Sequence, residues 1–133
     1  MKKLIGFAAV LVALFLSGNV FAQDLTFELN GKKYEAAKQD LYGYYTWKGA
    51  KAACEGLVDP DDFNGDWFLP SKEELNAMYE QLHKKGVGGF ANDTFWSSSE
   101  YYGLIAWFQS FSSGNQDYSS KGYTFSVRCV RAF

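Results

Sequence analysis

Four carboxylates and an amide crowd the stretch DPDDFNGD, from Asp59 to Asp66, and oxygen donors at that density are the ligands a calcium ion takes. The spacing does not suit a helix-loop-helix calcium site. Setting Asn64 and Gly65 at the fifth and sixth loop positions puts Pro60 first and leaves no glutamate where a bidentate ligand belongs. The stretch therefore reads as a solvated turn whose Asp and Asn side chains satisfy nearby backbone donors. His83 is the single histidine, placed after an apolar helical stripe, where a helix-end cation accounts for it. A nucleophile and base pair would need Cys54 or a serine beside it, and the serines stand in runs without motif context. Paired carboxylates for glycoside hydrolysis are not singled out among the Asp and Glu residues. No catalytic residue, metal ligand or cofactor is expected.

The aromatic residues carry a stronger signal. Trp67, Phe68, Trp96 and Trp107 fall in strand interiors or at element boundaries, where bulky apolar side chains are core. Strand parity in IAWFQSF separates Ile105, Trp107, Gln109 and Phe111 from Ala106, Phe108 and Ser110. With Trp107 inward, Phe108 and Ser110 face solvent. Tyr101, Tyr102, Leu104, Tyr118 and Tyr123 join Phe108 at turns and strand ends, among Ser, Gly, Asn and Asp, a composition like that of binding loops.

The elements that must hold these residues are legible in part. Residues 1–22 show two lysines, an apolar run and Val20-Phe21-Ala22 before Gln23, the pattern of a cleaved secretory signal. The run is short for a bilayer span and no second one follows. Asn19 stands where a lipobox would need cysteine. Two of the 13 basic residues and none of the 15 acidic ones lie in that stretch, so the domain expected over 23–133 has a net charge of −4. Its basic residues are scattered, which argues against nucleic acid. Cys54 and Cys129, in an exported chain, read as one disulfide, with two buried free thiols as the competing reading.

Alternation in LTFEL followed by Asn30-Gly31 predicts a hairpin. Thr46 is set to cap a helix over WKGAKAACEGL, and Ser71 with Glu74 forms a capping box for SKEELNAMYEQLHKK, stopped by Gly86. Strands DTFWSSSEY, IAWFQSF and YTFSVRCVRAF follow, with the polar stretch SSGNQDYSSKGY between the last two. Helices segregated from strands predict an α+β domain.

The motifs GDWFLPSKEEL (Gly65–Leu75), FWSSSEY (Phe95–Tyr101), Ala106-Trp107, Phe111, Gly114 and VRCVR (Val127–Arg131) together resemble the Lcl-type C-terminal domain family over about residues 42–133. Phe68 stands where that family commonly has arginine. The resemblance implies a C-type-lectin-like fold of the formylglycine-generating-enzyme branch, with two helices packed on short antiparallel sheets. It supports the pairing of Cys54 with Cys129. The calcium-ligating triplets of sugar-binding animal lectins are absent, so calcium-dependent sugar binding is not implied.

The family also looks like the variable proteins of diversity-generating retroelements, in which adenine-directed mutagenesis rewrites C-terminal codons. Changes at the adenines of an AAC codon yield Tyr, Ser, Asp, Gly, Leu, Ile or Phe. Such residues occupy Tyr102, Gly103, Leu104, Ile105, Phe108, Ser110, Asp117, Tyr118, Ser119, Ser120, Gly122 and Tyr123, which are the expected ligand-binding residues. The function expected is that of an exported adhesin or receptor-like binder, periplasmic, secreted or surface-associated. Its partner is a protein or glycan at a cell or phage surface, with no membrane insertion after signal cleavage. A secreted carbohydrate-active hydrolase and an envelope or fimbrial subunit are the alternatives.

Overall fold

The computed structural model describes residues 23–59 and 66–133. The expected signal, residues 1–22, and most of the Asp59–Asp66 stretch lie outside those residues. Asn30 and Gly31 have φ of 53° and 79°, the positive values that two-residue hairpin turns require, and they join β1 (Thr26–Leu29) to β2 (Lys32–Ala36). Helix α1 (Trp47–Glu55) starts where expected: the Thr46 hydroxyl accepts from the Gly49 N–H at 3.2 Å. Helix α2 (Lys72–Gln81) has its full capping box. Ser71 Oγ accepts from Glu74 N–H, and Glu74 Oε1 accepts from Ser71 N–H at 2.8 Å. A 3₁₀ turn over His83–Lys85 ends at Gly86, whose φ of 74° is the left-handed stop.

Four more strands complete the described chain: β3 (Thr94–Tyr102), β4 (Ile105–Ser110), β5 (Gln116–Ser120) and β6 (Val130–Ala132). They form two antiparallel sheets, β1-β2-β6 and β3-β4-β5. The arrangement is α+β, two helices with two small antiparallel sheets. The N-terminal hairpin pairs with the last strand, so both ends of the described chain close one sheet.

The β3-β4-β5 sheet lies between the helices, and each face supports its own core. On the α2 face Phe95 meets Leu75, Met78, Phe90 and Phe111. On the α1 face Trp96 and Ala106 meet Trp47, Ala50 and Cys54. Trp47 and Trp96 place their indole N–H groups on the Ser97 and Tyr45 carbonyls, both at 2.8 Å, so their polar edges are satisfied inside the core. The Cys54–Cys129 disulfide ties α1 to the strand-bearing C-terminus across 75 positions, and there is no free cysteine. Immediately before Cys129 the chain buries Arg128 completely. Its guanidinium donates to Asp40 Oδ1, the Ala37 carbonyl and the Gly88 carbonyl at 2.8 to 2.9 Å and lies over the Phe90 ring. Burial pushes its pKa down, and the Asp40 carboxylate opposes that shift.

Two expectations change. YTFSVRCVRAF is not one strand: Phe125 bridges Tyr45 and Ser126 bridges Phe95 before Val130 enters the other sheet, so the segment crosses from one sheet to the other. The stretch SSGNQDYSSKGY contains a strand, β5, which takes its ladder from the free edge of β4 and needs no apolar alternation of its own. His83 does more than end a helix. Its Nε2 lies 2.8 Å from the Phe111 carbonyl and its ring meets Tyr79, Phe90 and Phe111.

Candidate ligand-binding surface

The serine triplet of β3 is a buckle. Ser97 Oγ donates to the Trp107 carbonyl, Ser98 N–H donates to the Pro70 carbonyl, and Ser99 Oγ accepts from Lys72 N–H. The register between β3 and β4 shifts after Trp96 and again after Glu100, so the triplet spends its groups on α2 and on β4 instead of a regular ladder. Gln116 of β5 adds a bond from its side-chain amide to the Lys72 carbonyl at 2.9 Å. The first turn of α2 is thereby fixed against β3 and β5. Lys72 consequently sits with its Nζ 3.6 Å from the centre of the Trp107 ring.

Around Trp107 stands an aromatic group. Trp107 lies opposite Tyr118 in the β4-β5 ladder, so both side chains project from the α2 face. Tyr101 stacks on Tyr118 with centroids 4.0 Å apart and planes 4° apart, and both rings meet Trp107 nearly edge-on. The Tyr118 phenol is pushed above its ordinary pKa, chiefly by the adjoining Tyr101 hydroxyl. Tyr101 and Tyr118 remain 50% and 42% exposed. Next to them the turn between β3 and β4 presents Tyr102 and Leu104, exposed at 74% and 80%.

Lys121 holds that turn. Its Nζ donates to Glu100 Oε2 at 2.6 Å and to the Gly103 carbonyl at 2.7 Å, over the Trp47 ring. The hydrogen bond from Lys121 pulls the Glu100 carboxyl below its ordinary pKa. Gly103, with φ of 50°, makes the turn. Ile105 pairs with Ser120 at the neighbouring end of the hairpin, and the Ser120 hydroxyl accepts from Gly122 N–H.

The opposite face takes Phe108, Asp117 and Ser119, set by the pairs Phe108 with Asp117 and Ala106 with Ser119. Here the expected side assignment is corrected. Phe108 does not face solvent: it packs against Phe125, 5.1 Å between centroids, on the α1 core, and Trp107 and Phe108 are both half-buried. Parity separates the two residues as expected, but because helices cover both faces neither side is simply outside. Tyr123, 62% exposed, extends this second group from Phe125. Ser110 is apart from both groups, at the far end of β4, bonded to the Ser112 hydroxyl and to Asn115.

Bonds from Ser110 N–H to the Asn115 carbonyl and from Lys121 N–H to the Leu104 carbonyl fix the phase of the ladder. The N–H of Tyr118 therefore points away from β4, along the outer edge of the sheet. Asp117 Oδ1 accepts that N–H at 2.8 Å, and the Ser120 carbonyl accepts from Tyr123 N–H. The edge is partly closed to another strand.

The expected residues thus divide three ways: Tyr102, Gly103, Leu104, Ile105, Tyr118, Ser120 and Gly122 gather at the turn end and α2 face. Phe108, Asp117, Ser119 and Tyr123 share the other side, and Ser110 stands alone. Sequence reasoning left Trp107 and Lys72 out of the surface. The capping motif marks Lys72 only as a helix start, and no local pattern tells that its amine reaches a tryptophan on β4. Tyr42 and Tyr44, exposed at 98% and 64% near α1, were missed as well.

Among the described residues no group of three His, Cys, Asp or Glu side chains could hold a metal ion, and no helix is long and apolar enough to cross a membrane. The family model described as the Lcl C-terminal domain matches residues 22–131. That match reaches about 20 residues further toward the N-terminus than the span of about 42–133 over which the sequence shows the resemblance, and takes in the β1-β2 hairpin that pairs with β6. No curated protein matches the chain.

Proposed function

The chain belongs to the Lcl C-terminal domain family, and on that premise we propose that it is an exported, non-enzymatic binding protein of C-type-lectin-like fold whose ligand docks on the β4-β5 hairpin and the turn before it. One observation carries this reading: Tyr101, Tyr102, Leu104 and Tyr118 are all at least two-fifths exposed on the β3-β4-β5 sheet and its first turn, a sheet packed between two helices. Monomeric proteins rarely leave such side chains contiguous and uncovered without a partner for them. Tyrosine offers contact area at low entropic cost, and the Ser, Gly and Asp residues between supply adaptable hydrogen bonds. The disulfide supports export. The position of these residues on the last hairpin supports diversification of their codons by a retroelement.

The test is binding of labelled protein to arrays of glycans and of immobilised surface proteins. Saturable binding is expected, weakened about tenfold or more by Tyr101→Ala with Tyr118→Ala. Equal binding by the double variant, with the fold intact, overturns the surface. A near-copy of the final codons beside the gene, mismatched at adenines, is the expected mark of diversification, and its absence makes this a fixed binder. An assembly subunit is a second reading, favoured by the same exposed tyrosines. It predicts concentration-dependent oligomers that the double variant abolishes.

A further inference from the structure

Of the two sheets, β1-β2-β6 has its edges at β1 and β6. The β6 edge is paired: Phe68 N–H donates to the Val130 carbonyl at 2.8 Å, and the Phe68 carbonyl accepts from Val130 N–H at 2.9 Å. No strand among the described residues lies outside β1. Its sequence, TFEL, has neither the lysine nor the proline that commonly protects an open edge.

The phase of the β1-β2 ladder fixes what that edge presents. Leu29 and Lys32 face each other across Asn30-Gly31, and the residues that close a two-residue turn bond each other. By alternation Phe27 also turns its backbone groups toward β2, while Thr26 and Glu28 turn theirs outward. Both outward N–H groups are covered by side chains. Asp24 Oδ1 accepts from Thr26 N–H at 3.0 Å. Gln81, the last residue of α2, spends both ends of its amide on Glu28: Oε1 accepts from Glu28 N–H at 3.0 Å, and Nε2 donates to the Glu28 carbonyl at 2.7 Å. An amide side chain carries a donor and an acceptor as a peptide group does, so Gln81 stands in for one residue of a neighbouring strand. The contact joins residues 53 positions apart and is set by the core that Phe27 shares with Leu75, Met78 and Leu82 of the helix and its end.

We propose that Gln81 is a guard that keeps the β1 edge shut, and that its removal lets two copies of the chain pair there as antiparallel strands. Asp24 is exposed and reaches only two residues along the chain, whereas Gln81 is held in place by α2, so Gln81 is the cover that decides. A twofold axis through Phe27 sets Thr26 of one copy opposite Glu28 of the other, and outward-facing residues so placed exchange both N–H to carbonyl bonds. Each copy supplies the donors and acceptors that the other needs, which is the self-complementary contact of a closed dimer. The edge belongs to the other sheet from β4 and β5, so this inference stands or falls apart from the hairpin surface.

The experiment combines amide hydrogen exchange with sedimentation velocity on the oxidised chain and on Gln81→Ala, which keeps a good helix former at the last position of α2. In wild type the Glu28 N–H is expected to exchange about tenfold or more slowly than in dilute Gln81→Ala. At higher concentration Gln81→Ala is expected to dimerise about tenfold or more tightly than wild type. Adding Glu28→Pro removes the outward N–H without breaking a ladder bond, and is expected to restore wild-type sedimentation. Adding Tyr101→Ala with Tyr118→Ala to Gln81→Ala is expected to leave the dimer unchanged. A dimer lost in that last variant runs through the hairpin surface and overturns the proposal. A wild-type Glu28 N–H that exchanges as fast as in dilute Gln81→Ala also overturns it. So does a Gln81→Ala variant that associates no more than wild type, or a dimer that survives Glu28→Pro.

Discussion

Two segments that follow one another in the chain, Ser112–Tyr123 and Ser126–Val130, have opposite relations to solvent. From Ser126 to Val130 every residue is buried, and Arg128 and Cys129 are each committed to partners far away in sequence. From Ser112 to Tyr123 no residue is buried, and most hydrogen bonds its side chains make are local, such as Asp117 to Tyr118 N–H and Ser120 to Gly122 N–H. A small domain built this way can tolerate substitution in its exposed segment more readily than in its buried one. The buried segment fixes both sheets and α1, while the exposed one borrows its ladder from β4 and its position from Gln116 and Lys121.

If that division is right, damage should scale with the segment. Arg128→Ala leaves Asp40 and two carbonyls without a buried donor, and should cost about 3–5 kcal/mol in chemical denaturation. A loss below 1 kcal/mol would show that the buried segment is not the anchor. Next comes the disulfide. Replacing both Cys54 and Cys129 by Ala should lower stability by about 4 kcal/mol on the chain-entropy estimate for a loop of this length, read as a fall in the denaturation midpoint. By contrast Tyr118→Ala removes a stacked partner at an exposed site, and should cost about 1 kcal/mol while weakening ligand binding. A larger loss would move Tyr118 from display to scaffold.

The smallest effects concern pH and the sheet edge. Glu100 has its pKa lowered by Lys121, so the pair's stabilisation is present above the ordinary glutamate value and is lost as pH falls through the depressed one. Amide exchange of Gly103 and Leu104 should accelerate in that acidic window, and Lys121→Met should remove the acceleration. Asp117→Ala uncovers the Tyr118 N–H and should raise self-association detectable by sedimentation, with the fold unchanged.

Much of the scaffold was legible because its signals are local. Thr46, Ser71 with Glu74, Asn30-Gly31 and Gly86 each act within four residues, so caps, turns and both helices follow from the string. The exposure of Tyr102, Leu104 and Tyr123 was legible from their place among small polar residues at turns and strand ends. The position of Phe108 was not. Periodicity distinguishes two faces of a strand, but which face a helix covers depends on where α1 and α2 dock, and here both are covered.

The sequence by itself determined the helices, the first hairpin, the α+β class and a surface rich in tyrosine. Tertiary structure alone decided that a polar stretch becomes β5, that Lys72 lies on Trp107, and that the expected binding residues divide between two faces and one distant end. The physical reason is range. Caps and turns are settled by neighbours in the chain, whereas edge pairing, ring contacts and burial are settled by residues brought together from tens of positions away.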